Sequence, residues 1–243
     1  MARSSRENQA RRPATARARR PAKATAERPA ARRRKSSGEA PYHHGDLHEA
    51  LLKAAVQVLE RDGLPGLTLR AVAREANVSH AAPTHHFGDL TGLLSELAAI
   101  GFRQFGAAMA TARASAASLP ERGTASAKAY VAYAQEHPGM YGLMFRSERL
   151  DYSRPSLHEA SEASFAGLAR GVGASRQEQI SEESLSLDQA AAIARAWSLV
   201  HGFTMLLLDG RLTRILDLSP EGTTAEMLLT AMLRSSVGRP PGP

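Results

Sequence analysis

From residue 46 onward, apolar residues return every three or four positions, and strand-like alternation is scarce. That period lines apolar side chains along one stripe of an α-helix. A chain patterned this way packs helix on helix, so an all-α fold is expected. Its 243 residues are enough for one or two domains with a real core. There is no cysteine, which excludes disulfide frameworks, iron–sulfur clusters and thiolate zinc sites and fits a reducing cytosol. The longest apolar stretch, AWSLVHGFTMLLL, has 13 residues and includes Ser, His, Gly and Thr. A membrane span needs roughly 20, so neither a spanning helix nor, from the start of the chain, a signal peptide is expected.

The net charge of +7 is concentrated at one end. Residues 1–41 hold 13 Lys+Arg and 3 Asp+Glu, residues 42–92 hold 4 and 6, and residues 93–243 hold 14 and 15. The basic segment is Arg, Ala, Pro and Ser without an aromatic or large aliphatic residue. Such a segment cannot bury enough apolar surface to offset its ordering entropy, so a disordered arm is expected over 1–41. Basic arms of this kind commonly bind nucleic acid; a solvated tail and an organelle transit peptide are the alternatives. A short frayed tail is expected at 236–243.

GDLHEALLKAAVQVLERDG reads as the first helix, with Asp46 as cap and Glu49 completing a capping box. Leu47, Ala50, Leu51, Ala54, Ala55, Val58 and Leu59 make its apolar face. Gly63 suits the left-handed position past its end. In LTLRAVAREANVSH, Thr68 is the expected N-cap of a short helix with Leu69, Val72, Ala73 and Ala76 on its inner stripe. Asn77 tolerates positive φ in a tight turn. A second short helix is then expected from Ser79 or His80, and a long one with Leu93, Leu94, Leu97, Gly101 and Phe105 along one side. Two short helices joined by a tight turn and braced by an earlier helix form a helix-turn-helix.

The stretch GLTLRAVAREANVSHAAPTHHFGDLTGLL resembles the DNA-binding signature of the TetR family of bacterial transcriptional regulators, over about residues 46–95. Thr68, Val72-Ala73, Val78-Ser79, Phe87 and Leu93-Leu94 carry the resemblance. The SHAAP variant together with AWSLVHG far downstream resembles the subgroup whose C-terminal domain is named for Trp, His and Gly, here Trp197, His201 and Gly202. The resemblance implies a DNA-binding domain over 42–92, a helical regulatory and dimerisation domain over 93–235, and a cytoplasmic, nucleoid-associated protein. The family usually carries Tyr and Lys, both reaching backbone phosphates, where this chain has Thr84 and Leu90.

Histidines crowd VSHAAPTHHFGDL, but their spacing does not suit a metal. His80 and His85 are five residues apart, and His85 and His86 point about 100° apart on a helix. His43, His44 and His48 form a looser cluster split by Gly45. No metal and no cofactor is expected. Pro83 falls in the first turn, where amides mostly lack an intrahelical partner. The second helix of such a motif enters the major groove, its N-terminal residues at base edges. The expected contacts with double-stranded DNA are therefore Thr68, Ser79, His80, Ala81, Ala82, Thr84, His85 and His86. His86 has the competing role of packing beside Phe87.

The regulatory part contains AKAYVAYAQEHPGMYGLMF, broken at Pro138-Gly139, an amphipathic helix SLHEASEASFAGLARGVG, the apolar SLDQAAAIARAWSLVHGFTMLLLDGRL and a closing TTAEMLLTAMLRSS. Trp197, Val200, His201, Thr204 and Met205 are expected on one face, with Gly202 permitting close helix approach. Tyr130, Tyr133, Tyr141, Met144, Phe145, Trp197, His201 and Met205 are the candidates for a pocket taking a small lipophilic effector; an ordinary core is the other reading of the same residues. The last two helices resemble the pair through which the family forms a homodimer.

The expected function is sequence-specific transcriptional regulation, as a ligand-responsive repressor acting as a homodimer on a palindromic operator. The alternatives are a non-specific DNA-binding protein driven by the arm, and a helical enzyme. For the last, no G-x-S-x-G, phosphate loop, dinucleotide fingerprint or H-E-x-x-H occurs.

Overall fold

The computed structural model describes residues 44–145, 147–181 and 183–236, all within one contact unit, residues 41–243. The expected basic arm, His43 and most of the C-terminal tail lie outside the described residues. Among these residues the secondary structure is helical, with no strand. The helices are α1 (His44–Gly66), α2 (Leu69–Glu75), α3 (Ala82–Phe87), α4 (Leu90–Ala114), α5 (Leu119–Glu136), α6 (Pro138–Met144), α7 (Pro155–Arg176), α8 (Leu187–Leu208), α9 (Thr213–Asp217) and α10 (Ala225–Ser236).

α1 begins at His44, two residues before the expected cap, so Asp46 lies inside the helix. Its other end follows the sequence: Gly63 takes φ 68, and one more turn follows around Pro65. α2 starts where Thr68 Oγ1 accepts from the Ala71 amide at 3.1 Å. Asn77 takes φ 53 and turns the chain out of α2.

α3 starts later than the expected Ser79 or His80. A helix capped at Ser79 needs its first bond from the amide of residue 83, which is proline and has none. The first helical bond therefore runs from His85 N–H to Ala81 O at 3.0 Å, while Ala82 N–H reaches Ser79 O at 3.0 Å in the preceding turn. Asp89 caps α4 by accepting from the Gly92 amide at 2.8 Å.

A single cluster of buried side chains joins α1, α2 and α3 to α4, α5, α6, α8 and α10. Leu93, Leu94, Leu97, Gly101 and Phe105 on α4 are all buried, as their spacing predicts. α6 lies close against its neighbours at two glycines. A Cβ on Gly101 would sit 2.8 Å from Met140 and Met144, and one on Gly139 would sit 2.9 Å from the carbonyl of Leu59 in α1.

α7 does not stop at its glycines. It runs to Arg176, with Gln177 in the left-handed conformation at φ 58. Gly173 serves the stop differently: its carbonyl accepts from Glu178 N–H at 3.0 Å, and a Cβ there would be 2.7 Å from Glu178 O. α8 opens with a full capping box between Ser186 and Gln189. By length and composition α8, 22 residues long and containing an 18-residue stretch of mean hydropathy 1.4, could cross a membrane, although its longest apolar run is too short to suggest this. A core helix of a soluble protein can have the same length and composition. Its outer flank exposes Trp197, Met205 and Leu206.

Candidate functional site

The α2–turn–α3 unit presents one face outward. On α3 only Pro83 and Phe87 are buried, so the helix is anchored by two side chains. Ser79, His80, Ala81, Thr84 and His85 are exposed, Ala82 and His86 are half-buried, and Thr68 is exposed at the start of α2. The Thr68 hydroxyl oxygen is already engaged as a cap. His86 lies against the rings of His48 at 5.9 Å and Phe87 at 6.3 Å between centroids. Its packing role beside Phe87 is thus present. Leu90 is half-buried and packs on the core.

A second cluster lies among α5, α6 and α8. Tyr130 Oη and Tyr141 Oη are 3.1 Å apart and lie 2.9 and 2.8 Å from His201 Nδ1. Phe145 meets the His201 ring at 4.8 Å and Trp197 at 6.3 Å. Five of the eight pocket candidates are therefore brought together. Tyr133 turns away, donating to Gly101 O at 3.3 Å and lying 4.8 Å from the His137 ring. Met144 is fully buried beside Gly101. Met205, one turn beyond His201, is 40% exposed and outside the ring cluster. Phe105 is a member that residue type alone did not mark. It touches Tyr130 at 4.7 Å, Tyr133 at 5.4 Å and Phe145 at 6.3 Å. Its place on the apolar stripe of α4 was the available signal.

Burial controls the protonation of this cluster. It raises the Tyr130 phenol far above its ordinary range and pushes Tyr141 and Tyr133 up to about 12. It lowers the pKa of His201. All four side chains are neutral at pH 7. With a neutral imidazole, two phenolic protons cannot fill all three edges of the Tyr130–Tyr141–His201 triangle. If Nδ1 accepts, the remaining donor, Nε2–H, points out of the triangle.

The depressed pKa of His201 gives a stability window. The unfolded chain takes up this proton first, near its ordinary value of about 6.5. Stability from the neutral imidazole is complete above that pH and falls as pH drops towards the folded pKa. Thermal unfolding from pH 7.5 to 5 should show this loss in the wild type, and His201→Gln should flatten it. An identical pH profile for the two proteins would contradict this assignment.

Residues 51–97 match the family model described as bacterial regulatory proteins, tetR family. Residues 124–232 match the model for the tetracyclin repressor-like C-terminal domain. Together the two matches cover more than half of the chain. The chain belongs to the TetR family of bacterial transcriptional regulators.

The HTH-type transcriptional regulator BetI of Burkholderia mallei is 39% identical over 70 residues, 29% of this chain and 36% of that protein. The chain thus matches about a third of the length of its curated relatives. A protein of unknown function from Rhodococcus sp. RHA1 is 34% identical, with a TM-score of 0.64 over 81% of this chain and 96% of that one. The TetR-family regulator PfmR from Thermus thermophilus shares the fold at 18% identity and a TM-score of 0.52, over 76% of this chain and 94% of its own. The matching family models and the BetI and PfmR relatives are described as transcriptional regulators. The helix-turn-helix of this TetR-family chain is α2–turn–α3, followed by the helical C-terminal domain expected of the family.

Proposed function

We propose that this protein is a ligand-responsive repressor that binds a palindromic operator as a homodimer in the bacterial cytoplasm. One observation carries the DNA-reading half: Ser79, His80 and Ala81 in the turn before α3, with Thr84 and His85 on its outer side, are exposed, while its inner side is held by Pro83 and Phe87. Ala82 and His86 flank that row, and Thr68, exposed at the start of α2 where it caps the helix, is a further contact to DNA. Small alanines allow close approach and can meet a thymine methyl, while His, Ser and Thr can hydrogen-bond base edges or phosphates.

The grip comes from elsewhere. Thr84 is short and Leu90 is turned into the core, and residues 42–92 carry a net charge of −2. We assign the missing phosphate contacts to the basic arm over 1–41. The operator half-sites are read by two copies of α3 related by the dimer twofold.

The homodimer is supported by apolar side chains left exposed on consecutive helices: Trp197, Met205 and Leu206 on α8, Ile215 on α9, and Met227 on α10. The expected close approach at Gly202 is not made within the chain, since nothing lies within 4 Å of a Cβ there. That open position suits a helix of a second copy. Trp197, His201 and Gly202 are the trio that aligns this domain with the Trp-His-Gly subgroup.

The effector is a small lipophilic molecule carrying a hydrogen-bond acceptor. Tyr130, Tyr141, Phe145 and Trp197 supply apolar surface around His201, with Tyr133, Met144 and Met205 in the surrounding layer. His201 Nε2–H, or a phenol freed from the triangle, is its donor. α6 carries Tyr141 and also touches Leu59 of α1 through Gly139. An effector that displaces α6 thereby displaces the support of the reading heads. It shifts the population only through unequal affinity for the two states.

Genome-wide mapping of bound sites followed by gel-shift titration tests this function. The expected result is one or more palindromic duplexes bound at least a thousandfold more tightly than random DNA, the ordinary specificity ratio of about 10³ or more. Equal affinity for every duplex would instead establish the arm-driven, non-specific alternative.

A further inference from the structure

Arg154 is the N-cap residue of α7, in the segment that returns from α6 towards the helix-turn-helix. Its Nη2 donates to the carbonyl of Phe87, the last residue of α3, at 3.1 Å. The final carbonyls of a helix have no intrahelical partner. A guanidinium donor makes this a charge-assisted bond, stronger than a neutral one.

The segment around Arg154 is itself tied to the start of α4. Asp151 N–H donates to Ser95 Oγ at 2.9 Å, and Ser95 is fully buried. Ser156 Oγ donates to Glu96 Oε1 at 2.8 Å. The Asp151 carboxylate, held by the amide and hydroxyl of Ser153, lies 3.6 Å from Arg154 Nε. Nε itself is buried without a hydrogen-bond partner. Leaving a buried donor unsatisfied is unfavourable, so this placement of the guanidinium has a cost that the bond to Phe87 helps to offset.

Gly92 makes the contact sterically possible. A Cβ at that position would lie 2.0 Å from Phe87 O and 2.5 Å from Arg154 Nη2. The neighbouring Gly88, at φ 81, closes its own amide onto Thr84 O at 2.9 Å and leaves the Phe87 carbonyl to Arg154. α3 is six residues long and has only two buried side chains. A third fixed point therefore has a large share in setting its direction.

We propose that Arg154 is a positioning residue for the recognition helix, through which the regulatory helices hold α3 in its reading pose. The inference rests on α3 being the DNA-reading helix. It adds a contact from α7 to the end of that helix, separate from the route through α6 and α1.

The test uses the full-length protein as Arg154→Ala, Arg154→Lys and Gly92→Ala. Amide hydrogen exchange of the DNA-free proteins reads the contact directly. Arg154→Ala and Gly92→Ala should speed exchange of the amides over 84–92 at least tenfold, with α8 unchanged. Arg154→Lys, which retains a cationic donor, should restore most of the protection. On DNA, Arg154→Ala should lower affinity for a mapped operator at least tenfold while random-duplex affinity stays within twofold. Unchanged exchange over 84–92 would overturn the proposal, as would a parallel loss of affinity for operator and random DNA. If the wild type prefers no duplex, the DNA-reading assignment fails, and exchange alone decides whether Arg154 holds α3.

Discussion

Deleting residues 2–40 should flatten the dependence of log K on log salt by several units. Those residues carry all 13 Lys+Arg of the basic arm against 3 acidic residues. Each phosphate contact contributes a slope of about −0.9 on duplex DNA, because neutralising it releases condensed counterions. Within the folded part, Thr84 is exposed but short, and Leu90 packs on the core. The helix-turn-helix thus has few cationic groups to replace those contacts. Equilibrium titrations of full-length and truncated protein between about 50 and 200 mM salt measure both slopes. Equal slopes would remove the arm from the binding mechanism. The preference for operator over random duplex should survive the deletion, since the residues that choose a sequence lie on α3.

Phe87→Ala should cost about 3–5 kcal/mol of stability, the usual loss for emptying a large buried aromatic site. Phe87 is 2% exposed, packs 5.0 Å from the His48 ring on α1, and is one of only two buried side chains of α3. Removing it leaves α3 with Pro83, the contact of His86 with the His48 ring and the Arg154 bond. Chemical denaturation of wild type and variant measures the difference in midpoint. A loss below about 1 kcal/mol would mean that the site collapses freely and that α3 is held elsewhere.

Local features were legible because local forces set them. Thr68 caps α2 and Asn77 takes positive φ whatever the rest of the chain does, since only neighbouring backbone groups are involved. The buried stripe of α4 follows from its period. The delayed start of α3 was also written in Pro83, but only a count of hydrogen bonds shows where the first amide donor stands.

The aromatic site was legible only in part. Residue type pointed to Tyr130, Tyr133 and Tyr141 alike, yet Tyr133 donates to Gly101 while the other two meet His201. The helical period placed Met205 with His201, but the helix turns Met205 outward. Gly202 was expected to admit a neighbouring helix and faces open space in this chain. Arg154 gave no signal at all, because an arginine before a proline is an ordinary surface dipeptide until the chain brings it back to Phe87.

By itself the sequence determined the helical class, the helix-turn-helix, the separation of basic arm from near-neutral body, and the family. The first three follow from periodicity, short-range capping and charge, which act within a few residues of one another, and the family from the motif residues that resemble its signature. The tertiary structure alone decided which polar groups meet. Tyr130 and Tyr141 reach His201 across 71 and 60 residues, and Arg154 reaches Phe87 across 67. Contacts over such separations depend on how whole helices pack, a choice made by the shape of the entire core rather than by any local pattern.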